Sequence, residues 1–85
     1  MDERRLEFDE QVRAATRWLA LHARRGDRNR PADSYAIKHR VQRWAGHYVS
    51  GPAVVAAARA GGFAIVGSPT PAGNAWIAMR VASSR

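Results

Sequence analysis

Between Ser34 and Gly62 the chain is cut three times, at Gly46, at Ser50-Gly51-Pro52 and at Gly61-Gly62. Glycine and proline at such points stop or start helices. The stretch therefore predicts two short helices with a tight turn between them. Ile37, Val41, Trp44, Ala45 and Tyr48 fall at i, i+4, i+7, i+8 and i+11, a wide apolar stripe on a helix over 34–46. Ser34 or Asp33 supplies its cap. Ser50 caps the next helix, over 50–61. Pro52 sits in its first turn, and its body, AVVAAARA, is nearly all small and apolar.

The flanks are less sharply marked. A first helix over 3–23 follows from Phe8, Val12, Ala15 and Leu19, spaced by four, three and four, with Trp18 and Leu21 widening the stripe. Acids crowd its first turns, Arg24 and Arg25 follow its end, and both complement the helix dipole. Gly26 is its stop. Residues 24–33, RRGDRNRPAD, read as a polar basic linker. After the third helix, Phe63 to Val66 form a short apolar strand, and GSPTPAGN is a turn-rich loop. AWIAMRV, residues 75–81, then alternates, with Trp76, Ala78 and Arg80 on one face and Ile77, Met79 and Val81 on the other. The pair makes a hairpin over 63–81. The expected fold is α+β: one domain over 1–85, mainly helical, three helices followed by a C-terminal β-hairpin. That order is winged helix-turn-helix-like.

Charge narrows the function. The 85 residues carry a net charge of +7, with thirteen arginines and one lysine against seven acids. Asp2, Glu3, Glu7, Asp9 and Glu10 stand in the first ten residues, so Asp27 and Asp33 are the only acids facing twelve later cations. A codon bias explains Arg in place of Lys, but it does not explain so few acids. Such an excess attracts polyanions, and the guanidinium fork suits phosphate. Arg24, Arg25, Arg28 and Arg30 form the densest patch. Lys38, Arg40, Arg43 and His47 mark the polar side of the second helix, and Arg59 and Arg80 complete the candidate binding set. The third helix offers base edges only Arg59, so contacts to phosphate are expected rather than sequence readout.

Other chemistry is not indicated. There is no cysteine. His22, His39 and His47 are not spaced for zinc, and no nucleophile–base pair or phosphate loop is present. No enzyme activity, metal, cofactor or small-molecule substrate is expected. The N-terminal MDERRLEFDE lacks the apolar core of a signal peptide, and no apolar run reaches membrane-spanning length. A cytoplasmic location in a bacterial host is the expectation. Trp18, Trp44 and Trp76 are expected in the core, with Tyr35 and Trp76 the better candidates for stacking on bases.

Tyr48, Val49, Ser50 and Gly51, then Val54, Val55, Ala56, Ala57 and Ala58, then Gly62 and Phe63 resemble a pattern in small basic proteins of phages, plasmids and integrative elements. There Tyr-Val-Ser precedes a glycine turn, an aliphatic and alanine-rich helix and Gly-Phe. SYAIKH upstream and Asn74-Ala75-Trp76 downstream extend the likeness over residues 34–77; Gly51-Pro52 departs from the usual Asn-Gly. The resemblance implies a mobile-element setting, in which very small proteins are regulators or inhibitors of host defence, anti-CRISPR proteins included. Two functional expectations follow. The first is a non-catalytic protein that binds nucleic acid through its arginines. The alternative is an anti-CRISPR-type inhibitor docked on a host nucleoprotein complex. Ala53, Ala56, Ala57 and Ala60 then form a candidate protein interface, for that partner or for a homo-oligomer.

Overall fold

The first helix, α1, runs from Phe8 to His22, and its buried residues are Gln11, Ala14, Ala15, Trp18 and Leu19. These stand at i, i+3, i+4, i+7 and i+8, one amphipathic stripe. The stripe is turned from the expected one, since Phe8 and Leu21 are exposed while Trp18 is buried. The structure, a computed structural model, describes residues 7–81. The expected helix start at residue 3 lies outside the described residues.

The expected linker over 24–33 is shorter, since strands take both its ends and leave 26–31 as a loop. Strand β1 (Ala23–Arg25) and strand β2 (Ala32–Asp33) flank a loop. They are followed by α2 (Ser34–Ala45), α3 (Gly51–Ala60), β3 (Ile65–Val66), β4 (Trp76–Ile77) and β5 (Met79–Val81). β1 pairs antiparallel with β5, and a second antiparallel sheet has the order β2-β4-β3. The expected hairpin over 63–81 is present only in β3 and β4, with Ile65 opposite Ile77 and Val66 opposite Trp76, whereas Met79–Val81 pair with β1 instead. Its tip is closed by Thr70, whose hydroxyl accepts the Asn74 N–H at 3.1 Å. The fold is α+β, with three helices and small antiparallel sheets.

Both capping candidates at α2 are used, for different purposes. Asp33 is the N-cap and accepts the Tyr35 N–H at 3.0 Å. Ser34 is fully buried, and its hydroxyl accepts the Ala75 N–H at 2.8 Å, while its own N–H donates to the Ala75 carbonyl. The start of α2 is thereby fixed to the strand leading into β4. Ser50 caps α3 through the Ala53 N–H, with Pro52 in the first turn.

The core gathers Trp18 and Leu19, Ile37 and Val41, Val49 and Val54, and Ile77 and Met79. α3 is its centre, packed on α1, α2 and β3. Ala14 and Ala15 of α1 and Ala53, Ala57 and Ala58 of α3 are all in the core cluster; such small side chains shorten the distance between helix axes. This overturns part of the expected protein interface. Ala53 and Ala57 are 0% and 1% exposed, because the helix meets neighbours on more than one side. Ala56 is half-buried and Ala60 exposed.

Two tryptophans also depart from expectation. Trp44 is 45% exposed. It lies in the last turn of α2, where the adjacent surface of α1 presents Glu10, Arg13 and Arg17 with only Ala14 as an apolar side chain. Trp76 is 51% exposed because strand alternation gives the core to Ile77. Trp18, at 4%, is a core residue as expected.

Candidate nucleic-acid interface

The sheet register builds the basic site. In the β1–β5 ladder Ala23 stands opposite Val81, Arg24 opposite Arg80 and Arg25 opposite Met79. The β2–β4 ladder resumes with Ala32 opposite Ile77. Residues 26–31 therefore lie against Ala78 alone and leave the strand as a loop. Gly26 begins it, donating its N–H to the Ala78 carbonyl at 3.1 Å. A Cβ on Gly26 would stand 2.7 Å from the Met79 carbonyl carbon, closer than strand backbones allow a side chain. Asp27 turns the loop. Its Oδ1 accepts the Asn29 N–H at 2.9 Å, and its carbonyl accepts the Arg30 N–H at 3.1 Å. This is an Asx turn closed by a β-turn, with Arg28 next to its corner.

The result is a knot of arginine at one end of the sheet. Arg25, Arg30 and Arg80 line a cavity of about 420 Å³ with Gly26 and Asp27. The Arg25 guanidinium also reaches Gly62, where a Cβ would lie 3.0 Å from its Nη2. Gly62 follows the C-terminus of α3, whose carbonyls carry the negative end of the helix dipole. Arg59 occupies the last turn of that helix. Arg24, Arg28, Arg30 and Arg80 are exposed.

Acid placement sharpens the imbalance. Asp27 and Asp33, the only acids after residue 10, both hold backbone N–H groups two residues ahead. Asp27 shapes the loop turn and Asp33 caps α2. Among the described residues neither forms an ion pair with an arginine. Like charges directly opposed across a ladder, as at Arg24 and Arg80, disfavour the pairing. An anion bridging them removes that penalty.

The α2 cations separate into distinct surroundings. Lys38 is half-buried, with its ammonium 5.4 Å from the ring centres of both Tyr35 and Tyr48, and it donates to Gln42 Oε1 at 3.2 Å. Arg40 lies over the Trp18 ring at 5.9 Å and covers the α1–α2 seam. Arg43 and His47 line a second cavity, of about 520 Å³, with His39, Gln42 and Tyr48. Lys38 and Arg40 are thus bound to aromatic faces, whereas Arg43 and His47 border open space. The structure brings Arg25, Arg30 and Arg80 together, and separately Arg43 and His47. The long-range pairing of 24–25 with 79–80 is invisible to local periodicity, which is why Arg80 joins the linker arginines only in three dimensions.

Sequence reasoning left out Gly26 and Asp27 as site-forming residues. It also left out Arg13 and Arg17, which border the exposed Trp44. Their i, i+4 spacing on the polar side of α1 was the available signal. Among the described residues, no three His, Asp or Glu side chains gather as a metal would require, and no helix is long and apolar enough to cross a membrane. Compared with known proteins, the chain matches no family model, no curated protein and no solved structure.

Proposed function

We propose that this protein binds nucleic acid without acting on it chemically, through the arginines of the β1–β5 ribbon and its interrupting loop, chiefly by phosphate contacts. The observation that carries this reading is the cross-strand placement of Arg24 against Arg80 beside a cavity lined by Arg25 and Arg30. Arginines from two strands and one turn border that cavity, and Asp27 and Asp33 each accept a backbone N–H. A polyphosphate backbone supplies the missing negative charge, and counterion release drives its binding.

The finer fold reading is a winged helix-turn-helix. It rests on the sequence α1, β2, α2, α3, β3, β4 and on the β2-β4-β3 pairing. In this protein α3 works as a core helix, with Ala53, Val54, Val55, Ala57 and Ala58 buried. It therefore lacks the row of polar side chains that reads bases. Binding tolerant of sequence is the expected behaviour. The mobile-element setting, within a bacterial cytoplasm, rests on the residue pattern over 34–77.

The test is retention of the chain on duplex and single-stranded DNA across a salt series. Affinity that falls linearly in log–log form, and a shallower slope after Arg24, Arg25, Arg28 and Arg30 are replaced by Ala, supports the reading. No binding at low salt, together with capture of a host nucleoprotein complex, replaces it with the inhibitor alternative. That alternative then requires a contact surface other than Ala53 and Ala57.

A further inference from the structure

A second site lies between α1 and α2. It is lined by Glu10, Arg13, Ala14 and Arg17 of α1, by Trp44 and Ala45 of α2, and by His47 just beyond the end of α2. The cavity measures about 420 Å³, ample for one nucleobase. Its composition is unusual for a solvated seam, because a half-exposed indole shares it with two arginines one helical turn apart. The indole is also held in place. The His22 and Trp44 ring centroids lie 6.4 Å apart with their planes at 80°, and His22 in turn packs on Trp18 with centroids 5.1 Å apart. A ring so restrained loses little freedom on stacking.

We propose that this cleft takes an unpaired nucleobase, stacked on Trp44, with its phosphates held by Arg13 and Arg17. An aromatic face beside guanidinium groups is the arrangement by which single strands are gripped irrespective of sequence. A base within duplex DNA is stacked on both faces and has none to offer. Glu10 adds selectivity. Its carboxylate accepts hydrogen bonds and repels acceptors, so a base carrying an exocyclic amine, such as cytosine, is preferred over thymine. His47 lines both this cleft and the cavity bordered by Arg43, which provides a path for the adjoining phosphates. The inference deepens the nucleic-acid reading and assigns the strand form that this second site selects.

The experiment titrates the full chain with oligo(dC), oligo(dT) and duplex DNA of equal length, reading tryptophan fluorescence and affinity. Single strands are expected to quench the emission. Trp44→Ala should lose most of that quench and bind single strands about tenfold more weakly, as removal of one stacked base does. Duplex affinity should hold, because the ribbon arginines are untouched. Trp44→Phe, which keeps a ring face, should retain most of the single-strand affinity. Glu10→Ala should erase the preference for oligo(dC). If Trp44→Ala fails to fold, the Arg13→Ala/Arg17→Ala pair carries the test, since both residues are exposed; it too should weaken single-strand binding more than duplex binding. Equal weakening on both strand forms, or undiminished single-strand binding by the folded variants, overturns the proposal while the ribbon reading stands. Failure of the wild-type chain to bind either form overturns both.

Discussion

The Gln11 carboxamide oxygen accepts the backbone N–H of Ser50 at 2.8 Å, across 39 positions of chain. Ser50 is the N-cap of α3, and a helix start leaves such N–H groups without an intrahelical partner. In a capping box a Glu or Gln in the same helix satisfies that group. Here α1 supplies it from outside, which explains why a glutamine belongs to the buried stripe. Gln11→Ala should cost about 1–2 kcal/mol, the penalty for stranding a half-buried donor. Ser50→Ala, which removes only the side-chain cap, should cost about 1 kcal/mol. Urea melts of the two variants check the order.

The two tryptophans of the helical layer should behave oppositely. Trp18→Ala removes a buried indole and should cost about 3–5 kcal/mol, enough to unfold much of a small domain's population. Trp44→Ala removes an indole that is already half-exposed, and a smaller cost, of about 1–2 kcal/mol, is expected. Thermal unfolding followed by circular dichroism measures both.

Gly26→Ala tests the loop's anchoring. The added methyl collides with the Met79 backbone, not with a side chain that can swing away. Destabilisation of about 1–3 kcal/mol is expected from such overpacking. Heparin retention should fall as well, although no charge is removed, because Arg30 is displaced from the cavity it lines with Arg25 and Arg80. A variant with wild-type retention would show that Arg25, Arg30 and Arg80 act independently of the ladder.

Removing Arg25, Arg30 and Arg80 together should flatten the salt dependence of duplex binding by about 0.9 for each phosphate no longer neutralised, or roughly 2–3 in log–log slope. Arg24→Ala alone should leave stability unchanged or slightly higher, since it relieves the like charge of Arg80 across the ladder. Fluorescence anisotropy over a salt series and a melt of the unliganded protein read the two effects.

Bulk on α3 separates its faces. Ala57→Arg buries a charge in the core and should abolish folding. Ala60→Arg, at an exposed position near the helix end, should shift stability by no more than about 0.5 kcal/mol. Circular dichroism distinguishes them directly.

What the sequence disclosed was whatever local chemistry determines. Gly46, Ser50, Pro52 and Gly61 bound α2 and α3 to within a residue, because caps act on backbone groups next to them. The β3–β4 hairpin was legible for the same reason: one strand is a short apolar run, the other alternates, and the loop between them is rich in turn residues. β1 and β2 were not. Ala23-Arg24-Arg25 and Ala32-Asp33 carry no alternation, and they become strands only because β5 and β4 lie alongside. The exposure of Trp44 escaped for a related reason. Helical spacing shows which residues share a face, but not how far the opposing helix covers it. The candidate arginines were visible one by one, while their convergence depends on a pairing between residues more than fifty positions apart.

The loop between β1 and β2 leaves one strand and returns to it while the partner advances by Ala78 alone. Register on either side is therefore set by Arg24 against Arg80 and by Ala32 against Ile77, whatever the number of residues between. In an ordinary strand one inserted residue would exchange the inward and outward faces of everything beyond it. Here an insertion is absorbed in the excursion, at a closure cost that grows only slowly with length. The stretch Arg28-Asn29-Arg30 is accordingly a segment in which reach and charge can vary between descendants of this chain while the core beneath keeps its packing.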